Sequence, residues 1–185
     1  MTGGVANSMP EILQAALFVL VVGAALADLR TRRIPNWIAL PGLIAGMVLN
    51  GYFRGSSGVA SAMLGALLGA AMFLGIYLAG GMGAGDVKLF AAVGAIVGPQ
   101  SLLVIFVLTG ILGGVAALAL MLWRGKAGQA MGRTFGLAGQ MLRMNWPQVR
   151  RRSDLRAPGA LTLPYGAVVA GGTLLFLFAV RQPVG

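Results

Sequence analysis

Ala27-Asp28-Leu29-Arg30-Thr31-Arg32-Arg33-Ile34-Pro35-Asn36 is the stretch on which the reading of this chain turns. An apolar run from Ile12 to Ala27 precedes it, and a second, Trp37 to Phe53, follows it. Asp28 closes the first run. Pro35 has no amide hydrogen and suits the first turn of the next helix. The stretch therefore reads as a helix end, a short basic turn and a helix start at a membrane boundary. A carboxylate at bilayer depth is costly and rarely kept without a use. The plainer account makes Asp28 a partner of Arg30, Arg32 or Arg33 at the water boundary, where ion pairs are common and weak.

Composition supports the membrane setting. The chain has 185 residues, of which 58% are hydrophobic and 10% charged, and its mean hydropathy is +0.86. Soluble domains do not have this balance. Cysteine is absent, which excludes disulfides, thiolate metal sites and thiol catalysis. Histidine is absent too, which removes the commonest metal ligand and the commonest general base. Acid–base chemistry near neutral pH then falls to carboxylates, Lys or Tyr. The net charge of +10 is not read as a nucleic-acid footprint. The basic residues are not interleaved with stacking aromatics; they lie between apolar runs, where the positive-inside rule places them.

A spanning helix needs roughly 17–25 mostly apolar residues. The candidate spans are Glu11–Ala27, Trp37–Phe53, Val59–Gly80, Asp86–Val97, Leu102–Trp123 and Ala160–Val180. The expected fold is thus an all-α membrane protein, a polytopic bundle of about six transmembrane helices. The fourth span is short, starting as early as Met82 or ending in an irregular segment before Pro99. With six spans, Arg30, Arg32, Arg33, Lys88 and the eight basic residues from Arg124 to Arg156 share one side, and Arg54 and Arg181 fall on the other. The basic side is the expected cytoplasmic side, with both termini outside and Asp28 and Asp86 at cytoplasmic helix ends. Ala25-Leu26-Ala27 looks like a signal-peptide cleavage site. No basic residue precedes the run, however, and cleavage would export the Arg30–Arg33 cluster, so the run is read as a retained span. Between Arg124 and Pro158, Met131, Phe135, Ala138, Leu142 and Trp146 share one face at helical spacing, with Gln129, Arg133 and Gln140 opposite. Two readings stay open: a helix lying in the interface with Arg150-Arg151-Arg152 near anionic headgroups, or a charged segment that only sets topology.

The second stretch with chemical content is Gly81-Met82-Gly83-Ala84-Gly85-Asp86-Val87-Lys88-Leu89. The chain holds only four acidic residues, and Asp86 is the second that borders an apolar run. Glycines allow another backbone to come close, and irregular backbone at membrane depth survives only beside protein or a wet cleft. Gly83 and Gly85 are expected to leave a cleft wide enough for an extended substrate. The plainer accounts are an interspan turn with packing glycines and a helix-terminal acid favoured by the macrodipole or paired with Lys88. Because both aspartates fall on one membrane side, a paired-carboxylate site is the sharper reading.

Together these stretches resemble the type IV prepilin peptidases, bacterial members of the GxGD intramembrane aspartyl proteases. Asp28-Leu29-Arg30 leading to Ile34-Pro35-Asn36, and Gly83-Ala84-Gly85-Asp86-Val87-Lys88-Leu89, carry the resemblance, and Leu163-Pro164-Tyr165-Gly166 looks like the family's Pro-Tyr/Phe-Gly segment. The resemblance implies that Asp28 and Asp86 are catalytic and that the substrate is a prepilin whose short basic leader is cut at the cytoplasmic face, before its apolar helix. It implies one transmembrane peptidase domain over residues 1–185, with the basic amphipathic loop at about 124–158, in the bacterial inner membrane. Larger family members carry a cysteine-rich cytoplasmic region and N-methylate the product. This cysteine-free chain looks like the compact, peptidase-only type associated with Flp-like pilins of tight-adherence systems.

Two nearby carboxylates in a poorly solvated site can share one proton, a chemistry that needs no metal and no cofactor. Gly83, Gly85, Lys88, Asn36, Pro164, Tyr165 and Gly166 are the candidates for substrate binding or active-site support. For Lys88 snorkelling is favoured over a site role, Asn36 is a helix cap or an orienting residue, and Tyr165 alternatively belongs to an interfacial belt. Two rival functions fit the aspartates less closely: a proton-coupled transporter subunit, against which the lack of an internal repeat weighs, and a non-catalytic pilus-assembly scaffold. The native absence of cysteine gives a clean topology test. Single cysteines placed between Arg124 and Pro158 should resist an impermeant thiol reagent added to intact cells, whereas Ser56→Cys and Gly185→Cys should react. Labelling of the long loop from outside would invert the topology.

Overall fold

The structure, a computed structural model, describes residues 9–31, 34–78, 83–123 and 165–181. Over these residues it is all-helical: α1 (Glu11–Thr31), α2 (Asn36–Leu78), α3 (Ala84–Trp123) and α4 (Tyr165–Arg181). The predicted loop helix at 124–158, along with Arg32, Arg33, Met82 and Pro164, lies outside the described residues.

Both long helices are broken by a glycine. Gly55 has φ 63° and ψ −145°, and Gly98 has φ 78° and ψ 171°. Only a residue without Cβ takes these conformations at little cost. At each break the chain reverses. The first half of α2 runs parallel to the first half of α3, with Asn36 beside Lys88 and Gly46 against Ala95. The second half of α2 runs antiparallel to that same half, pairing Ser61 with Gly98, Gly65 with Gly94 and Gly69 with Phe90. At Gly65–Gly94 the absence of both side chains lets backbone meet backbone. Within α3 the halves are antiparallel, since Gly94 meets Leu102 and the Phe90 and Phe106 rings lie 6.0 Å apart. Along α4, Val168 meets Gly113 and Gly172 meets Thr109, so α4 opposes the second half of α3. The described residues thus form six helical segments of alternating direction.

The first half of α3 is the centre. Leu89, Phe90, Ala92, Val93 and Ala95 are fully buried and Ile96 nearly so. Burial of consecutive residues means burial on nearly all sides. Phe90 stacks on Phe73 of α2 at 4.2 Å between centroids, and both rings meet Phe106 edge-on. Around this centre α1 contributes Leu13, Leu17, Leu20, Val21 and Ala24, a stripe at helical spacing.

The exterior is apolar as well. Phe18, Val19, Ile44, Val48, Leu64, Leu67, Val107, Ile111, Val115 and Phe178 are all exposed, more apolar surface than a water-soluble fold displays. Three helical stretches, Glu11–Thr31, Asn36–Gly75 and Ala84–Ala119, are long and apolar enough to cross a membrane, while the apolar part of α4, Tyr165–Ala179, is shorter.

The break at Gly98 raises a backbone question that the fold answers with a side chain. In a continuous helix the Ala95 carbonyl would accept from residue 99, which is Pro99 and has no N–H. The Ile96 carbonyl faces the same break. Asn50, buried in the first half of α2, donates through Nδ2 to Ala95 O at 3.0 Å, to Ile96 O at 3.1 Å and to Gly46 O at 3.0 Å. It serves as a C-cap supplied by a neighbouring helix. Asn50→Leu keeps the volume and removes the donor. It should cost about 1–3 kcal/mol, the price of unsatisfied buried carbonyls, read as a lower thermal midpoint in detergent; an unchanged midpoint would refute the capping role.

Candidate active site

Asp28 lies in the last turn of α1 and Asp86 in the first turn of α3, and both are buried, at 6% and 9% exposure. The alternation of the segments brings these helix ends to one end of the bundle. Gly85 touches Ile34, Lys88 reaches Asn36, and Gly166 touches Asp28, so the starts of α2, α3 and α4 meet the finish of α1.

Each carboxylate is held by a backbone amide. The Gly166 N–H, in the first turn of α4, donates to Asp28 Oδ2 at 2.8 Å in a buried position. The Gly83 N–H donates to Asp86 Oδ2 at 3.1 Å, while the Asp86 N–H donates back to Gly83 O at 3.2 Å. Gly83 is thus the N-cap of α3, and Asp86 is the acid three residues on that reaches back to it, one half of a capping box. Neither Oδ1 has a hydrogen bond among the described residues. Each carboxyl group therefore has one oxygen held by a backbone amide and one without a hydrogen bond among the described residues.

The other predicted residues divide. At Gly85 a Cβ would lie 2.9 Å from Ile34 O and 3.0 Å from Ile34 Cβ. The space expected to admit a substrate backbone is therefore filled by the turn after α1, and Gly85 acts by letting that turn close on α3. Gly83 is exposed and a Cβ there would make only ordinary contact, 3.4 Å from Asp86 Oδ2. Lys88 is exposed and its Nζ donates to Asn36 Oδ1 at 2.9 Å. The pair ties the starts of α2 and α3 together, which is the orienting rather than the capping alternative for Asn36 and differs from snorkelling for Lys88. Tyr165, the first residue of α4, is half-buried and directly precedes Gly166, whose amide meets Asp28. Pro164 lies outside the described residues.

Sequence reasoning missed one contact at the aspartate end and one at the far end of the bundle. Ile34, quoted within the first motif but given no role, is buried against Gly85. Asn50 gives a signal, an isolated amide inside an apolar run, and Pro99 is the feature it answers.

Comparison with known proteins follows the same residues. Residues 15–118 match the type IV leader peptidase family. The stretch contains Asp28, Asn36, Gly83, Gly85, Asp86 and Lys88 and stops short of Tyr165 and Gly166. The prepilin leader peptidase/N-methyltransferases of Aeromonas salmonicida strain A449 and Aeromonas hydrophila are similar relatives. Each is 34% identical over 119 residues, which is 60% of this chain and 40% and 41% of the respective relatives. The chain therefore spans about two fifths of the length of the curated relatives it matches. No solved structure matches.

The contrast between the two glycines is testable. Gly85→Ala forces a Cβ against Ile34 backbone and should lower stability by about 1–3 kcal/mol. Gly83→Ala clashes with nothing and loses only the N-cap preference for glycine, a cost at the low end of about 0.5–1 kcal/mol. Thermal unfolding of the two purified variants side by side reads the difference, and equal midpoints would overturn the close-approach role of Gly85.

Proposed function

We propose that this chain, which belongs to the type IV leader peptidase family, is an intramembrane aspartic endopeptidase that removes the short basic leader of type IV, Flp-like prepilins at the cytoplasmic face of the inner membrane. The observation that carries the reading is the pairing of Asp28 and Asp86: two buried carboxyl groups at one end of the bundle, each with one oxygen held by an amide. The membership supports prepilins as the substrate class.

The mechanism uses what the chain has. One carboxyl group is ionised and takes a proton from water as that water attacks the scissile carbonyl. The other is protonated, polarises the carbonyl and then helps to protonate the leaving amine. The proton belongs to the pair rather than to either residue. The Oδ1 atoms, which have no hydrogen bond among the described residues, are the reacting oxygens. The Asn36–Lys88 bridge, Gly85 and the start of α4 hold the two helix ends together.

Topology follows from length. Straightened, the 43 residues of α2 would reach roughly 65 Å, about twice the ~30 Å hydrocarbon core. Folding at Gly55 makes two crossings, as folding at Gly98 does for α3. With α1 and α4 this gives six spans, and the positive-inside rule places the aspartate end in the cytoplasm, with the basic loop at about 124–158 near anionic headgroups. An apolar exterior suits a substrate that is itself an apolar helix arriving through the bilayer.

Co-expression with a candidate pilin precursor tests the reading. Asp28→Asn and Asp86→Asn should each reduce cleavage by about 100-fold or more while membrane insertion persists, since Asn keeps the volume and ends the proton chemistry. The wild-type product, weighed by mass spectrometry in a host with no other processing enzyme, should carry an unmethylated N-terminus, in line with the absence of cysteine. A transporter subunit or a scaffold would leave the precursor at full length. Normal processing by either mutant would remove that residue from the catalytic role, and a methyl group dependent on this chain would end the peptidase-only assignment.

A further inference from the structure

We infer that the Gly166 backbone amide is the positioning group for Asp28, so that the first turn of α4 is a working wall of the active site. The inference rests on the peptidase reading above. It starts from backbone chemistry. The first N–H groups of any α-helix have no partner within the helix. In α4 one of them, at Gly166, meets Asp28 Oδ2 at 2.8 Å in a buried position. Asp28 Oδ2 can accept this bond whichever member of the pair holds the proton, and a helix N-terminus is a favourable place for a carboxyl oxygen.

Sterics make the contact specific to glycine. A Cβ at Gly166 would lie 2.9 Å from Asp28 Cβ, 3.1 Å from Cγ and 3.0 Å from Oδ2. The carboxyl group occupies the space a side chain would need. Asp28 is thereby fixed at two points, by the covalent frame of α1 and by an amide 138 residues away. With Oδ2 engaged, Oδ1 is the oxygen left to face water and substrate. Asp86 needs no such outside help, because its amide donor, Gly83, belongs to its own helix start. The two carboxyl groups are therefore held in different ways: Asp86 locally, Asp28 only when α4 is docked.

The test replaces one N–H group by an oxygen atom. Replacing Gly166 by glycolic acid, using nonsense suppression in the full chain, converts the amide to an ester without adding a side chain. The lost N–H has no carbonyl partner in α4, so the helix keeps its own bonds. The same ester at Ala167, by lactic acid, is the control, since that N–H also lies in the first turn. Activity is measured in detergent on a synthetic peptide with a short basic leader joined to an apolar segment. The ester at Gly166 should lower kcat about tenfold or more with KM unchanged, because ground-state binding of the peptide does not use this bond. The ester at Ala167 should cleave at the parent rate. Gly166→Ala, which pushes directly on Asp28, should lower kcat at least as far while the thermal midpoint shows the protein folded. If the Gly166 ester matches the Ala167 control while Asp28→Asn is inactive, the positioning role fails and the peptidase reading stands. If Asp28→Asn and Asp86→Asn both cleave normally, the peptidase reading fails and takes this inference with it.

Discussion

A carboxyl group inside an apolar bundle must find a hydrogen-bond donor, and this constraint organises the aspartate end of the protein. Asp28 and Asp86 find theirs in backbone amides that helix starts leave unpaired. Such donors are present at every helix N-terminus and carry no charge of their own. The arrangement in turn requires glycine at the contact points. Gly166 gives Asp28 room, and Gly85 lets the Ile34–Pro35 turn close on α3. A side chain at either place would displace the carboxyl groups or the helices that carry them.

The opposite end of the bundle solves a related problem. There α2 and α3 double back at Gly55 and Gly98, and reversal inside an apolar environment strands carbonyls. Asn50 supplies the missing donor to Ala95 and Ile96. The reversals matter for the aspartates because they set which helix ends coincide. Without a turn at Gly55, the start of α3 would not return to the level where α1 ends. Without a turn at Gly98, the second half of α3 would not lie against α4. The central half of α3, buried on nearly all sides, is the post around which the others are placed. The Phe73, Phe90 and Phe106 rings fasten it to the second halves of α2 and α3.

The Asn36–Lys88 bridge adds a polar tie on the exposed rim of the aspartate end. Exposed polar contacts contribute little to stability on their own. The value of this one is geometric, because it joins the residue that begins α2 to the turn of α3 that bears Asp86. Together with the Gly85–Ile34 contact it holds the start of α2 against the start of α3.

How much of this was legible beforehand depends on whether a feature is local. The all-helical class, the apolar segments and the presence of two carboxyl groups that need buried partners, Asp28 and Asp86, are legible in the sequence, because hydropathy and the cost of a carboxylate in an apolar run are properties of a short stretch. The positions of the breaks were nearly so: the gap between the predicted spans ending at Val97 and starting at Leu102 brackets Gly98, and that between Phe53 and Val59 brackets Gly55. The roles of the glycines were not. Gly85 was expected to leave space for substrate, and its space belongs to Ile34. Nor could sequence show that Asn50 serves carbonyls 45 and 46 residues away, or that the Gly166 amide serves a carboxylate 138 residues away. Local chemistry determined which groups would need a partner; only the tertiary packing decided which atom became that partner, because distance in space between helices is not encoded in the spacing of residues along any one of them.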